Sequence, residues 1–196
     1  TTRLTLLTAA GNGSGRAWEE MVELYQPLVF GWLRRNEVAH HDAEELTQDV
    51  LAAVVRDLPS FAHSGNKGAF RHWLRRITVN RARGFWRAGK YRPRATGETK
   101  FLAMVDQLAD DRSTLAERFD REHDRHVLRC CLQQVEAEFS DATLTAFRRQ
   151  VFDGAVADDV AIELGMTVGA AYSAKSRVLR KLRQAAQGLV DESLLS

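Results

Sequence analysis

The sequence predicts an all-α protein built from two small helical domains joined by a flexible linker. Apolar residues recur at helical spacing along most of the chain, and no run alternates apolar and polar residues over the length of a strand. Stretches rich in Gly, Pro and Ser separate the periodic segments. With 196 residues and 44% hydrophobic residues, each domain can bury a real core. We expect a tail over 1–15, a first domain over 16–88, a linker over 89–114, a second domain over 115–190 and a tail over 191–196. No apolar stretch approaches the length of a membrane span, and "TTRLTLLTAAGNGSG" lacks the apolar core of a signal peptide, so the expected location is cytoplasmic.

Taken in order, "RAWEEMVELYQPLVFGWLRRN" sets Trp18, Met21, Val22, Tyr25, Val29 and Trp32 on one helical face, and Pro27 divides it into an expected helix pair. "DAEELTQDVLAAVVRDL" opens with Asp42 and Glu45 in capping-box spacing and turns Ala43, Leu46, Val50, Val54 and Leu58 inward. "PSFAHSGNKGAF" is turn-rich and leads into a helix whose buried stripe is Phe70, Trp73, Leu74 and Ile77. Residues 89–114 mix Gly, Pro and charge around a short apolar patch, Phe101, Leu102 and Val105, and read as linker. "DREHDRHVLRCCLQQVEAEF" then presents Val127, Leu128, Cys131, Leu132 and Val135, and "TLTAFRRQVF" adds a further helix. Cys130 and Cys131 are adjacent and poorly placed to bridge each other. The string from His126 to Cys131 lacks further ligands at zinc-site spacing, so it reads as a helix with half-buried thiols.

"AIELGMTVGAAYSAKSRVLRKL" closes the domain with a helix-turn-helix pattern. Val160, Ala161 and Leu164 run up to Gly165, the residue best suited to the left-handed turn at a helix end. Thr167 is placed to cap a second helix, with Val168, Ala171, Val178 and Leu182 inside. Its outer side offers Tyr172, Ser173, Lys175, Ser176, Arg177, Arg180, Lys181 and Arg183, with no acid between Gly165 and Gln184. A helix of that diameter and charge suits the major groove of DNA.

The formal net charge of +2 hides a segregation. Phe70 to Arg94 carries Arg71, Arg75, Arg76, Arg81, Arg83, Arg87, Lys90, Arg92 and Arg94 and no acid, whereas Asp106 to Asp124 holds Asp110, Asp111, Glu117, Asp120 and Glu122. The first block is a second anion-binding surface, and aromatic residues within it, Trp73, Phe85 and Trp86, raise the prospect of stacking on unpaired bases. The place of Trp73 in the apolar stripe favours core instead. No carboxylate pair sits in an apolar setting, no Gly-rich phosphate loop appears and no nucleophile has a local motif, so nothing points to an enzyme or a cofactor.

The order of three motifs, "DAEELTQDVL", "FRHWLRRITVNRAR" and "VADDVAIELGMTVGAAYSAKSRVLRKL", resembles the extracytoplasmic-function group of the sigma-70 family, the bacterial RNA polymerase sigma factors. The resemblance implies a first domain that binds core RNA polymerase and the promoter −10 element and a second that binds the −35 element. It assigns polymerase docking to Glu45, Gln48 and Asp49, capture of a flipped base to the loop with Phe61, Ser64, Asn66 and Lys67, and the opened strand to Arg71, Arg75, Asn80 and Arg83. It assigns the −35 contacts to Tyr172, Ser173, Ser176, Arg177, Arg180 and Lys181. The sequence departs from the group at Tyr172 and Ala174, where Arg or Lys is common, which shifts weight to Arg177, Arg180 and Lys181. Implied partners are core polymerase, promoter DNA and an anti-sigma factor, with a monomeric free chain. The rival readings are a stand-alone helix-turn-helix regulator, against which the second basic surface weighs, and an adaptor that binds RNA and touches no promoter, which a polymerase pull-down separates from the other two.

Overall fold

A computed structural model describes residues 9–61, 68–88, 97–187 and 189–190, without the side chains of 97–99. Among the described residues there is no strand. The main helices are α1 (Gly15–Arg35), α2 (His40–Asp57), α3 (Ala69–Arg87), α4 (Gly97–Ala109), α5 (Thr114–Glu136), α6 (Asp141–Val151), α7 (Ala157–Leu164) and α8 (Val168–Ala186). No helix among the described residues is long and apolar enough to cross a membrane.

Four helices start on a hydroxyl that accepts an otherwise orphaned backbone N–H. Ser14 accepts from Ala17, Ser113 from Ala116, Ser140 from Thr143 and Thr167 from Ala170, at 3.5, 3.0, 3.4 and 3.1 Å. The capping box expected at Asp42 is not formed, because α2 begins two residues earlier with Ala39 as its cap. Asp42 lies instead in the first turn, where the helix dipole favours a carboxylate. The expected helix pair around Pro27 is one continuous helix: Leu24, Tyr25, Leu28 and Val29 are buried on both sides of the proline, and that packing outweighs one lost backbone bond.

The segment read as linker contains α4. Phe101, Met104, Val105 and Leu108, at i, i+3, i+4 and i+7, are buried against the first bundle, a stripe that the surrounding Gly, Pro and charge obscured. Residues 89–96 lie outside the described residues.

Helices α1 to α4 enclose Tyr25, Val29, Trp32, Leu46, Val50, Phe70 and Leu74, while α6, α7 and α8 close round Ala146, Ala157, Val160, Ala171 and Ala174. Helix α5 belongs to both groups. Its first half sets Phe119 edge-on against Trp32 at 5.3 Å and stacks His123 on Tyr25 at 5.8 Å, and His126 Nε2 donates to the Leu24 carbonyl at 2.6 Å. Its second half packs on α8, where Cys131 shares a core with Leu182, Ala186 and Leu189. The thiol of Cys131 is thus buried, and that of Cys130 lies 3.7 Å from His126 Nε2.

Removing the fully buried Phe119 ring takes away the main apolar tie between α5 and α1. Phe119→Ala is expected to lower unfolding stability in urea by about 3–5 kcal/mol, whereas Ile162→Ala should stay within about 0.5 kcal/mol. Ile162 is 83% exposed, so little packing is lost there.

Candidate nucleic-acid interface

Helix α3 follows Gly68, whose φ of 71° lies in the left-handed region. A Cβ there would come within 2.9 Å of the Arg71 guanidinium, so the glycine lets Arg71 fold back over the helix start. Phe70, Leu74, Ile77, Ala82 and Phe85 are buried, as the periodicity requires. Trp73 is half-buried beside Phe70 and Phe61, with ring centroids 5.4 and 4.9 Å away. That agrees with the core reading of Trp73, and it also occupies Phe61, whose ring meets Phe70 edge-on at 5.7 Å. Ser64, Asn66 and Lys67 lie outside the described residues.

The cations of α3 divide between two faces. Arg71 and Arg75, one turn apart, point at α5: Arg71 pairs with Asp120 at 3.3 Å and with Asp124, and Arg75 pairs with Asp120 at 3.2 Å and with Asp111. The Arg75 side chain is only 4% exposed, so it is not open to a strand of nucleic acid in this arrangement. Asn80 and Arg83 are exposed, with Arg83 reaching Asp106 at 3.0 Å. They share their face with Arg76 and Arg87, at i, i+4, i+7 and i+11, and Arg76 has no ion pair among the described residues. Arg76 and Arg87 were legible as charge and passed over as contacts. Only the direction in which α5 approaches separates them from Arg71 and Arg75.

The helix-turn-helix forms as its residues dictate. Gly165 ends α7 with φ 63°, Met166 N–H bonds to the Ala161 carbonyl at 3.0 Å, and Thr167 caps α8. Small residues at 146, 157, 171 and 174 let the three helices approach closely. The buried Gln150 amide donates to both the Ala146 and Ala171 carbonyls at 2.9 Å, which fixes α8 on α6. No sequence motif announces that residue; its burial among apolar neighbours is what reveals it. On the far side, Arg149 binds Asp153 at 2.8 Å and Glu163 at 3.0 Å, and these hydrogen bonds, Asp153 first, raise its already high pKa.

Tyr172, Ser173, Ser176, Arg177 and Arg180 emerge together on the exposed face of α8, with Tyr172 60% exposed. Lys181 leans away from them to Glu138, 2.6 Å distant. Ala174 is buried in the small-residue core, so a long cation would not fit that position without displacing α7. Val168, expected inside, is 37% exposed at the helix start.

On α2, Leu46 and Val50 face the core, Gln48 is exposed, and Glu45 and Asp49 are partly so. Gln48 stands over a groove of about 540 Å³ between α1 and α2, floored by Trp18, Val22, Phe30, Leu51 and Val55. An apolar groove beside the acidic residues was not evident in the sequence, because Trp18 and Val22 lie on another helix. At the end of α2, Asp57 accepts a hydrogen bond from Arg56 at 2.8 Å, the main cause of a carboxyl pKa below its ordinary value. Among the described residues no cluster of His, Cys, Asp or Glu could hold a metal ion.

Comparison with known proteins adds an independent result. Residues 21–91, from α1 through α3, match the Sigma-70 region 2 family. The chain is also similar to the ECF RNA polymerase sigma factor SigE of Mycolicibacterium smegmatis, with 34% identity over 64 residues. That match spans 33% of this chain and 23% of the relative. The region that matches the family bears the "DAEELTQDVL" helix and the divided basic helix, so this part of the chain is similar to Sigma-70 region 2, and the match reaches less than a quarter of the relative's length.

Proposed function

We propose that the chain is a sigma factor of the extracytoplasmic-function type: it joins core RNA polymerase, directs it to promoters through −35 and −10 elements, and aids strand opening. The observation that carries this reading is the presence of two separate cationic helix faces, Arg76–Asn80–Arg83–Arg87 on α3 and Tyr172–Ser173–Ser176–Arg177–Arg180 on α8, in a chain whose first part matches Sigma-70 region 2. An ordinary repressor needs one groove-reading helix and has no use for the first face. In this reading residues 16–88 act as the region-2-like unit and residues 115–190 as the region-4-like unit. The protein contributes recognition and no catalysis of its own.

Docking on polymerase is assigned to Glu45, Gln48 and Asp49, supported by the exposure of Gln48 at the α1–α2 groove and the partial exposure of Glu45 and Asp49 on the same helix. A basic, partly apolar partner suits that combination. The exposed face of α3 is assigned to the opened strand, with guanidinium groups on phosphates and Asn80 on a base edge. Phe61, Ser64, Asn66 and Lys67 are assigned to a base that has left the stack. Arg71 and Arg75 join this surface only when α5 no longer holds them. Helix α8 is assigned to the major groove at the −35 element, and its firm seating through Gln150 suits a reading element whose register has to be fixed. An anti-sigma factor that covers either surface is a further proposed partner.

The triple substitution Glu45→Ala, Gln48→Ala and Asp49→Ala should abolish assembly with core polymerase while far-ultraviolet circular dichroism keeps its helical signal. Assembly at normal affinity would contradict the docking assignment. Asn80→Ala should leave closed-complex formation nearly intact and reduce permanganate reactivity of promoter thymines; equal loss of both would mean that α3 only tethers duplex. On α8, Arg177→Ala should relax preference at one base position by roughly 1–3 kcal/mol. Arg180→Ala, on the same exposed face, should weaken all sequences alike and lower the salt slope by roughly one unit. Binding of the full chain to single-base promoter variants at several salt concentrations distinguishes the two.

A further inference from the structure

The acidic stretch that balances the chain's charge is not spread over the surface. It is aimed at the cations. Asp111, Asp120 and Asp124 close on Arg71 and Arg75, Asp106 meets Arg83, Glu122 meets Arg35 at 2.6 Å, and Glu138 meets Lys181 on α8. We infer that Asp111 and the acidic face of α5 act as an internal occupant of the nucleic-acid surface: in the free chain they fill the Arg71–Arg75 guanidinium pair, and a strand of phosphates displaces them. The inference rests on the reading of α3 as a nucleic-acid face.

Several features separate this contact from an ordinary structural ion pair. A guanidinium fork accepts a carboxylate and a phosphate by the same hydrogen-bond geometry, so the two ligands compete for one site. Three carboxylates converge on two guanidiniums, one more acid than neutralisation needs. The extra one, Asp111, is 79% exposed and lies in the turn between α4 and α5, where it shields Arg75 from solvent without being part of the core. Asp124 is held in place by the buried His123, whose Nδ1 donates to it at 3.0 Å. The occupied pair lies on the adjoining side of α3, since consecutive residues such as Arg75 and Arg76 point about 100° apart on a helix. Releasing Arg71 and Arg75 would therefore add a second cationic strip beside the open one and widen the positive surface near the helix start.

The same helix carries the opposing force. Phe119 packs on Trp32, and His123 and Val127 are fully buried, so lifting α5 off the first bundle exposes apolar surface. The free chain accordingly rests closed, and opening needs a partner that binds the released surfaces more strongly than water does.

The test uses the full chain and a fluorescein-labelled single-stranded oligonucleotide at fixed salt. Asp111→Asn, which removes only the charge of an exposed side chain and does not endanger the fold, and the double variant Asp111→Asn with Asp120→Asn should both bind more tightly. For the double variant the gain should be roughly ten-fold, the equivalent of one charge-assisted hydrogen bond no longer displaced. The variant Glu19→Gln with Glu23→Gln makes the same change in net charge on an exposed face of α1 and should gain little. Amide exchange over 114–127 should quicken in the double variant, while its thermal melt keeps one cooperative transition.

Equal gains in the double variant and the α1 control would reduce the effect to net charge and overturn the inference. Unchanged binding in both Asp variants would overturn it as well. Adding Arg76→Ala and Arg87→Ala to the double variant keeps the two readings apart. If those substitutions abolish oligonucleotide binding that the Asp changes never altered, α3 is a nucleic-acid face and only the internal occupant is wrong. If no variant binds the oligonucleotide, the assignment of α3 fails and the inference falls with it.

Discussion

Helix α5 has to satisfy two bundles at once, and most of the architecture follows from how it does so. Phe119 on Trp32 and His123 on Tyr25 commit its first half to α1, while Cys131, which shares a core with Leu182 and Ala186, commits its second half to the bundle that carries the helix-turn-helix. Between the apolar contacts it brings a row of carboxylates against the cations of α3. A helix placed this way couples three things that would otherwise be independent: the packing of the first bundle, the seat of the reading helix and the accessibility of Arg71 and Arg75. Its burial favours the closed arrangement by the hydrophobic term, and its charges make that arrangement responsive to polyanions and salt.

The charge pattern gains meaning from this arrangement. A chain with a formal net charge of +2 would not be expected to bind polyanions strongly. Here the cations are concentrated on α3 and α8, and the acids that cancel them in the total are held nearby on α4, α5 and the turns that flank α5. Where the acids reach, the cations are shielded; where no described acid pairs with them, as at Arg76 on α3 and Arg177 and Arg180 on α8, the described surface remains positive. Under the proposed function, such shielding would limit contact with bulk DNA before the chain joins polymerase while leaving the reading helix exposed.

Much of the fold was legible because the signals were local. Gly165 and Thr167 define the turn by backbone conformation and capping, and the stripes of α2 and α3 follow from their periodicity. The single helix through Pro27 was not legible, since buried residues on both sides of the proline decide the matter and their burial is a tertiary fact. Helix α4 was partly visible in Phe101 and Val105, but Gly and Pro nearby masked the four-residue stripe. The candidate site divides the same way. Charge and order of motifs pointed to α3 and α8, yet nothing in the spacing of Arg71, Arg75, Arg76 and Arg83 reveals which of them α5 covers. Gln150 went unnoticed for the same reason, as its two carbonyl partners lie on different helices.

The central claim is that this chain confers promoter recognition on a bacterial RNA polymerase, and in-vitro transcription tests it most directly. Purified chain would be added to core polymerase with a genomic promoter library, and the transcripts sequenced from their 5′ ends. The account predicts discrete start sites that depend on the added chain and share two upstream elements spaced for a −35 and a −10 contact. Transcription no different from that of core polymerase alone, together with duplex binding by the chain in the absence of polymerase, would contradict it and favour a stand-alone regulator.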